Sequence, residues 1–437
     1  MKPSLFASLA CVSVLALTGP GCAVSADEAD APPPGADTQE GGMSAMERVA
    51  QFGLEEVRGM VYDPGPAPDG SGKNGYKQND KYTTYFDSDF ANASYDELWS
   101  RGASGKGRDD LRRFKDELNA NFITLYDWNA GDANKRVPRD HKAFFDYASE
   151  LGLKTTIAVS NYTMAKLCRG DTAGATTAIE NTFAEMYSGT TPHPGAGMLK
   201  VFNEPDGSEC SRTALVADVM AAWKRAEDAR GVPDAKRLPI FFPVTYSIKN
   251  GLPGGAILDG FEAIKAHPEL GEQFWRERIV VAVNPFNSGN DMHKWLTVDY
   301  PAWAAQKGIP TENPIMFTEY GRSSDEVPDR SLEEQAKWVD GQFAAIFPRP
   351  VPQMIGASAF VSQVRPWLAA PEPNFGLMDF GGDGGGHALP AQDHTVSIKY
   401  WNPNGNDGKG AIWDGAYNVQ RQTPRPAYWK IAEHYVR

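Results

Sequence analysis

Cysteine is scarce in this chain. Four occur in 437 residues, and Cys11 and Cys22 fall in the first segment, so Cys168 and Cys210 alone are left for the main body. Two cysteines cannot build a zinc site without further ligands at short spacing, and no cluster of His, Cys and acid has that spacing. In an oxidising compartment such a pair is expected as a disulfide. Long basic runs are also missing. The net charge is −13, and phosphate binding needs clustered Lys and Arg, so nucleic acid is excluded as a partner. The first apolar run is followed by 59-GMVYDPGPAP-68, which is no Gly-rich phosphate loop. The GGDGGG at 381–386 opens no helix after a strand and is expected as a loop. A Gly-x-Ser-x-Gly elbow is lacking too, which argues against a serine hydrolase. The apolar segment from Leu5 to Leu17 is too short for a comfortable membrane span.

That segment follows Lys2 and reads as an export signal. Two processing routes stay open. Val24-Ser25-Ala26 suits an ordinary signal peptidase, which gives a signal over 1–26. Gly21-Cys22 resembles a bacterial lipoprotein site, with Cys22 lipidated, although Gly19 stands where such sites usually carry Leu. Either route leads to a secreted or lipid-anchored protein of the bacterial envelope, and any membrane contact is expected only through Cys22. Residues 27–50 are rich in Pro, Gly, Ala and acid and are expected to be a disordered tether. Residues 51–437 remain for the folded body, which is expected to be a monomer.

In that body short apolar runs alternate with amphipathic stretches. The runs are Val57–Tyr62, Phe122–Tyr126, Lys154–Val159, Met198–Asn203, Ile240–Val244, Ile279–Asn284, Ile315–Thr318 and Met354–Phe360. Between them Leu111, Phe114 and Leu118 share a helix face, as do Leu332, Ala336, Val339, Phe343 and Ile346. Eight strand–helix units joined by right-handed crossovers predict an α/β fold, a (β/α)8 barrel. A doubly wound open sheet is the rival. Long insertions follow strands one (63–108) and eight (361–423), both on the face where barrels carry their sites. Within the second, 396–401 and 411–417 are expected to pair as a hairpin packed by Trp401 and Trp413.

Two runs end alike, 199-LKVFNEPDG-207 and 314-PIMFTEYG-321. Glu204 stands at the end of the fourth strand and Glu319 at the end of the seventh, positions that face each other over the mouth of a closed barrel. Paired carboxyl groups about 5–5.5 Å apart serve retaining glycosidases as acid/base and nucleophile. A helix-capping role for either acid is the plainer alternative.

The segments 203-NEP-205 and 317-FTEYG-321 resemble clan A of the glycoside hydrolases. Supporting likenesses are 57-VRGMVYDP-64, 108-RDDLRRFKDELNANFITLYDW-128, 371-PEPNFGLMD-379 and 423-TPRPAYW-429. The local flavour is similar to β-glucan-acting families 17 and 72. The resemblance implies a retaining glycosidase or transglycosylase acting on β-linked polysaccharide or oligosaccharide without a cofactor. Glu204 would be its acid/base, Glu319 its nucleophile and Asn203 its contact to the sugar 2-hydroxyl. Two departures are evident. Thr124 stands where such enzymes carry an Arg on strand two, and Phe286 where they carry a Tyr after strand six. Arg322, Tyr320 or Tyr246 would have to substitute. The departures motivate an alternative, a cell-surface carbohydrate-binding protein on a catalytically impaired barrel.

Further substrate contacts are expected from Trp128, Phe286 and Trp367 as stacking platforms, and from Asp127, Asn284 and Tyr320. Ordinary rim packing is the competing reading for each ring. Cys168 and Cys210, in the loops after strands three and four, are expected to pair.

Overall fold

The computed structural model describes residues 42–64, 89–126, 128, 140–207, 212–365, 371–380, 394–402, 411–419 and 421–436. Eight parallel strands close into a barrel. They are β1 (Val57–Val61), β2 (Phe122–Thr124), β3 (Lys154–Val159), β4 (Ala196–Val201), β5 (Ile240–Thr245), β6 (Ile279–Asn284), β7 (Ile315–Tyr320) and β8 (Met354–Ala359). Each pairs with its neighbours in sequence, and β1 closes the ring by pairing with both β2 and β8. The protein is therefore a (β/α)8 barrel, as the alternation of runs predicts. An open sheet would leave two unpaired edges.

Closure depends on local detail. Gly356 in β8 has φ +136°, and a Cβ there would stand 2.0 Å from the Val57 carbonyl oxygen of β1. Only glycine permits that approach. The floor of the barrel is an apolar layer of Val57, Phe122, Met198, Phe241, Val280, Met316 and Ile355. Outside the ring, Leu215–Arg230, Leu332–Ile346 and Pro426–Tyr435 are helices with their periodic apolar faces buried.

One boundary is corrected. Residues 45–50 belong to the expected tether, yet Ala45–Gln51 forms a helix, α1. Ser44 and Glu47 cap it reciprocally, which satisfies amide groups that a short helix otherwise leaves bare. Val49 and Leu54 join the floor layer. Arg48 is fully buried: its Nε donates to the Glu277 carbonyl at 2.8 Å, and its Nη2 pairs with Asp234 Oδ1 at 2.8 Å. The low hydrophobicity of the flanking segment hides this helix in the sequence.

In the last insertion His394–Asn402 and Ala411–Val419 pair antiparallel, the expected hairpin.

Candidate functional site

The backbone leaves β4 by an unusual route. Phe202 and Glu204 both adopt left-handed conformations, with φ of +64° and +48°. Each such non-glycine residue costs about 1–3 kcal/mol and persists only where its surroundings over-determine it. They do so here. Asn161 grips the residue between them on both sides: the Asn203 amide donates to Asn161 Oδ1 at 2.8 Å, and Asn161 Nδ2 donates to the Asn203 carbonyl at 2.9 Å. The Glu204 amide donates to the Pro243 carbonyl. Asp206 accepts from the Thr245 amide at 3.0 Å and from its hydroxyl at 2.5 Å, which ties the loop to the end of β5. This bracing sets the Glu204 side chain within the barrel mouth, beside Asn284 of β6.

β7 delivers Glu319 by a different device. Phe317 pairs with Ala357 and Tyr320 with Ala359, so β7 takes three steps where β8 takes two. A bulge of this kind interrupts the alternation of side chains. Thr318 and Glu319 both reach groups of the barrel interior. Thr318 donates to Asn284 Oδ1 at 2.6 Å. Glu319 is buried, with the Tyr126 hydroxyl beside it. Beyond the bulge Tyr320 is turned outward into the helix layer.

The two glutamates sit in unlike surroundings. Burial first, and the Glu319 charge second, push the Glu204 carboxyl up to about 8, against which the Asn284 hydrogen bond pulls only partly. Burial raises Glu319 too. Three groups oppose the rise: the Lys200 ammonium, the Tyr126 hydroxyl and the Arg365 guanidinium. Cationic partners thus limit the rise at Glu319, while Glu204 retains its proton at neutral pH.

Asn284 orients the acid. Its Nδ2 donates to Glu204 Oε1 at 3.0 Å, and Thr318 fixes the amide by donating to its Oδ1. With Oε1 accepting, Oε2 is the atom left to carry the proton. Asn284, expected as a substrate contact, bonds the acid itself. Asn203 lies in the same turn, with its Oδ1 buried and without a hydrogen-bond partner among the described residues.

Other expected contacts are not brought to the pair. Trp128 is buried, with one face stacked on His141 at 4.0 Å and its edge against Phe145, so it packs the wall and presents no platform. Tyr320 is committed outward, its hydroxyl donating to the Gln342 carbonyl at 3.0 Å and its ring packed by Phe317 and Phe343. Phe286 is half-buried against Phe360 and Phe375. Asp127, Trp367 and Cys210 lie outside the described residues. Cys168, at the end of the helix Asn161–Cys168, is disulfide-bonded. No group of three or more potential metal ligands occurs among the described residues.

The groups proposed to replace the missing Arg and Tyr are also elsewhere. Arg322 lies over the Trp338 ring and donates to the Phe286 carbonyl, and Tyr246 packs on Trp295. Tyr126, Lys200 and Arg365 occupy the positions around Glu319 instead. Sequence reasoning missed all three, yet two left a signal. Lys200 is a lone charge inside the apolar run 198-MLKVF-202, on the inward parity of Met198. Tyr126 ends the second run at the level of the site.

No family profile matches this chain, and no curated protein matches it. Solved structures do overlap with it. A Bacteroides uniformis beta-glucuronidase matches at 15% identity over 69% of this chain and 35% of its own, with a TM-score of 0.41. A Bifidobacterium dentium beta-glucuronidase complexed with coumarin-3-O-glucuronide matches at 15% over 75% and 42%, with a TM-score of 0.41. An Eisenbergiella tayi GH2 beta-galacturonidase bound to galacturonate matches at 14% over 75% and 47%, with a TM-score of 0.42. The chain spans less than half the length of these proteins. Overlaps this shallow carry no argument about substrate or site.

Proposed function

We propose that this protein is an exported glycoside hydrolase that cleaves β-linked polysaccharide or oligosaccharide by a retaining two-step mechanism. One observation carries the reading: two glutamates lie together at the C-terminal mouth of a (β/α)8 barrel, where burial and the neighbouring charge raise Glu204 to about 8, while Lys200, Tyr126 and Arg365 oppose the rise at Glu319. That is the division of labour glycoside hydrolysis requires.

In the first step Glu204 donates its Oε2 proton to the glycosidic oxygen as Glu319 attacks the anomeric carbon. The C–O bond to the leaving sugar breaks and a glycosyl ester forms on Glu319. Glu204, now anionic, takes a proton from water, whose oxygen displaces Glu319. A second sugar in place of that water gives transglycosylation. The retained proton on Glu204 and the buried carboxylate of Glu319 suit those roles in that order, and no metal or cofactor enters a step. The binding-only alternative draws its motive from the missing Arg and Tyr. Tyr126 and Lys200 provide a hydroxyl and a cation at Glu319, which weakens that motive.

The export signal, processing at Ala26 or Cys22, the monomeric state and a Cys168–Cys210 bridge belong to the same proposal. A bridge between loops after β3 and β4 would steady the turn that carries Glu204.

The test is a panel of β-linked glucans, mannans and xylans with products read by mass spectrometry, followed by a slow 2-fluoro sugar substrate. The fluoro sugar is expected to label the peptide containing FTEYG. Binding without product across the panel favours the non-catalytic alternative, and a label on another acid removes Glu319 as nucleophile.

A further inference from the structure

A lysine in the interior of a barrel requires an explanation. Lys200 in β4 has no exposed surface, and its Nζ has no hydrogen-bond acceptor among the described residues. Desolvating an ammonium costs several kcal/mol. Neighbouring positions on the same inward face, such as Met198, are filled by apolar side chains that need no such compensation. If packing were the only requirement, methionine would meet it here as well.

Geometry shows what the charge does. The Lys200 Nζ lies 4.2 Å from the centroid of the Tyr126 ring, on its face. The hydroxyl of that ring lies beside Glu319 and acts on its carboxyl. One tyrosine therefore stands between the cation and the carboxylate, with its face under Lys200 and its hydroxyl beside Glu319. The charges that act on Lys200 itself are those of Glu319 and Glu204. No carboxylate among the described residues accepts a hydrogen bond from it, so both act on it across the interior.

We propose that Lys200 is the positioning residue that holds Glu319 as a carboxylate, supplying from β4 the cation that Thr124 leaves out of β2. The role rests on the glycosidase reading, because only a nucleophile needs to be ionised in so buried a place. Lys200 lies beneath the pair and does not touch substrate. Its charge sets the lowest pH at which Glu319 can attack.

Other groups that face Glu319 are accounted for. The Tyr126 hydroxyl lies beside it. Arg365 acts from the segment after β8, but it is already shared between Asp63, at 3.4 Å, and Glu372, at 2.5 Å. Glu372 repels Glu319, and Glu204 is held mostly neutral by burial. Lys200 is the one among them with no competing ion pair, and its effect on Glu319 exceeds that of Arg365. Burial pulls Lys200 down to about 8, so it remains charged at neutral pH and loses its charge in mild alkali.

The experiment titrates Glu319 directly. Protein with 13C-labelled glutamate carboxyls is followed by NMR against pH, with the Glu319 signal identified by its loss in Glu319→Gln. In Lys200→Met the Glu319 midpoint is expected to rise by about one pH unit or more. Lys200→Arg, which keeps the charge, is expected to stay near wild type, and Lys200→Gln serves if the Met variant does not fold. An unmoved midpoint in a folded neutral variant overturns the proposal. The acidic limb of kcat/KM should move with the midpoint. The titration needs no substrate, so the two readings fail separately. A wild type without turnover, but with a Glu319 midpoint that follows Lys200, retires the glycosidase and leaves the link. An active wild type with an indifferent midpoint does the reverse.

Discussion

Asn284 Nδ2 donates to Glu204 Oε1 across 3.0 Å, joining the ends of β6 and β4 inside the barrel mouth. Thr318 of β7 fixes the donor by bonding its Oδ1, so three strands agree on where one carboxyl points. A hydrogen bond donated to a carboxylate favours the ionised form. Its removal in Asn284→Ala should raise Glu204 further above about 8 and carry the alkaline limb of kcat/KM to higher pH. Orientation is lost as well. A hydrogen bond to the neutral acid is worth up to about 1.5 kcal/mol, up to about tenfold in kcat/KM. A pH–rate profile of the variant checks both effects, and an unchanged alkaline limb would mean that Glu204 is not the acid.

Much of the frame was legible. Each of the eight barrel strands lies within two residues of its apolar run, because a strand buried on both faces must be apolar almost throughout. Glu204 and Glu319 stood out because ionisable residues rarely close such runs. Trp128 and Tyr320 were misjudged for a reason that sequence does not carry. A bulge between Phe317 and Tyr320 reverses the parity of the last residue, and His141 fills the face of Trp128 from a distant segment. The helix α1 was masked by its polar surroundings. Lys200 and Tyr126 were visible as residues, but their convergence on Glu319 needs the closed ring, which brings β2, β4 and β7 to one centre.

His141 is the charged hub of the wall behind that centre. It is buried between Asp89, 2.8 Å from Nε2, and Glu185, 2.8 Å from Nδ1. Burial opposes its protonation, but the two carboxylates outweigh burial and raise it to about 10. The folded value lies above the unfolded value of about 6.5, so the stabilisation is complete below that pH and is lost as pH rises towards 10. His141→Gln leaves two carboxylates without their cation and should cost about 3 kcal/mol at pH 6. Denaturant melts at pH 6 and pH 9.5 test this. The gap between wild type and variant is expected to narrow at the higher pH, and a gap independent of pH would show that His141 is neutral.

Arg48 anchors α1 beneath the barrel floor. Its guanidinium is spent on backbone carbonyls of Glu277 and Arg237 and on Asp234, and it has no exposed surface. Arg48→Ala strands these acceptors and opens the floor under Val49. A cost of about 2 kcal/mol is expected, in the range for leaving buried backbone acceptors unpaired, because Asp234 itself stays exposed. Removal of residues 1–41 should leave the thermal midpoint unchanged, while removal through residue 51 should lower it by several degrees. Equal midpoints for the two truncations would mean that α1 adds nothing to the barrel.

Tyr126 offers a separate test of how Glu319 is held. Its hydroxyl lies beside that carboxylate and favours its ionised form, and its ring receives the Lys200 ammonium at 4.2 Å. Tyr126→Phe removes the donor and keeps the ring, so Lys200 retains its seat. Loss of a hydroxyl that favours the ionised form raises Glu319, and the acidic limb of kcat/KM should move up by about one pH unit, equivalent to about 1.4 kcal/mol. Glu319 is nucleophilic only when ionised, so the rate falls most at low pH and recovers as pH rises. Lys200→Met acts on the same carboxylate by another route through the same ring. The double variant should therefore deviate from additivity, because each single change alters what the other group can do. Additive shifts of the acidic limb would mean that hydroxyl and ammonium act on Glu319 independently, and a Tyr126→Phe profile that matches wild type would remove the hydroxyl from the account of the nucleophile.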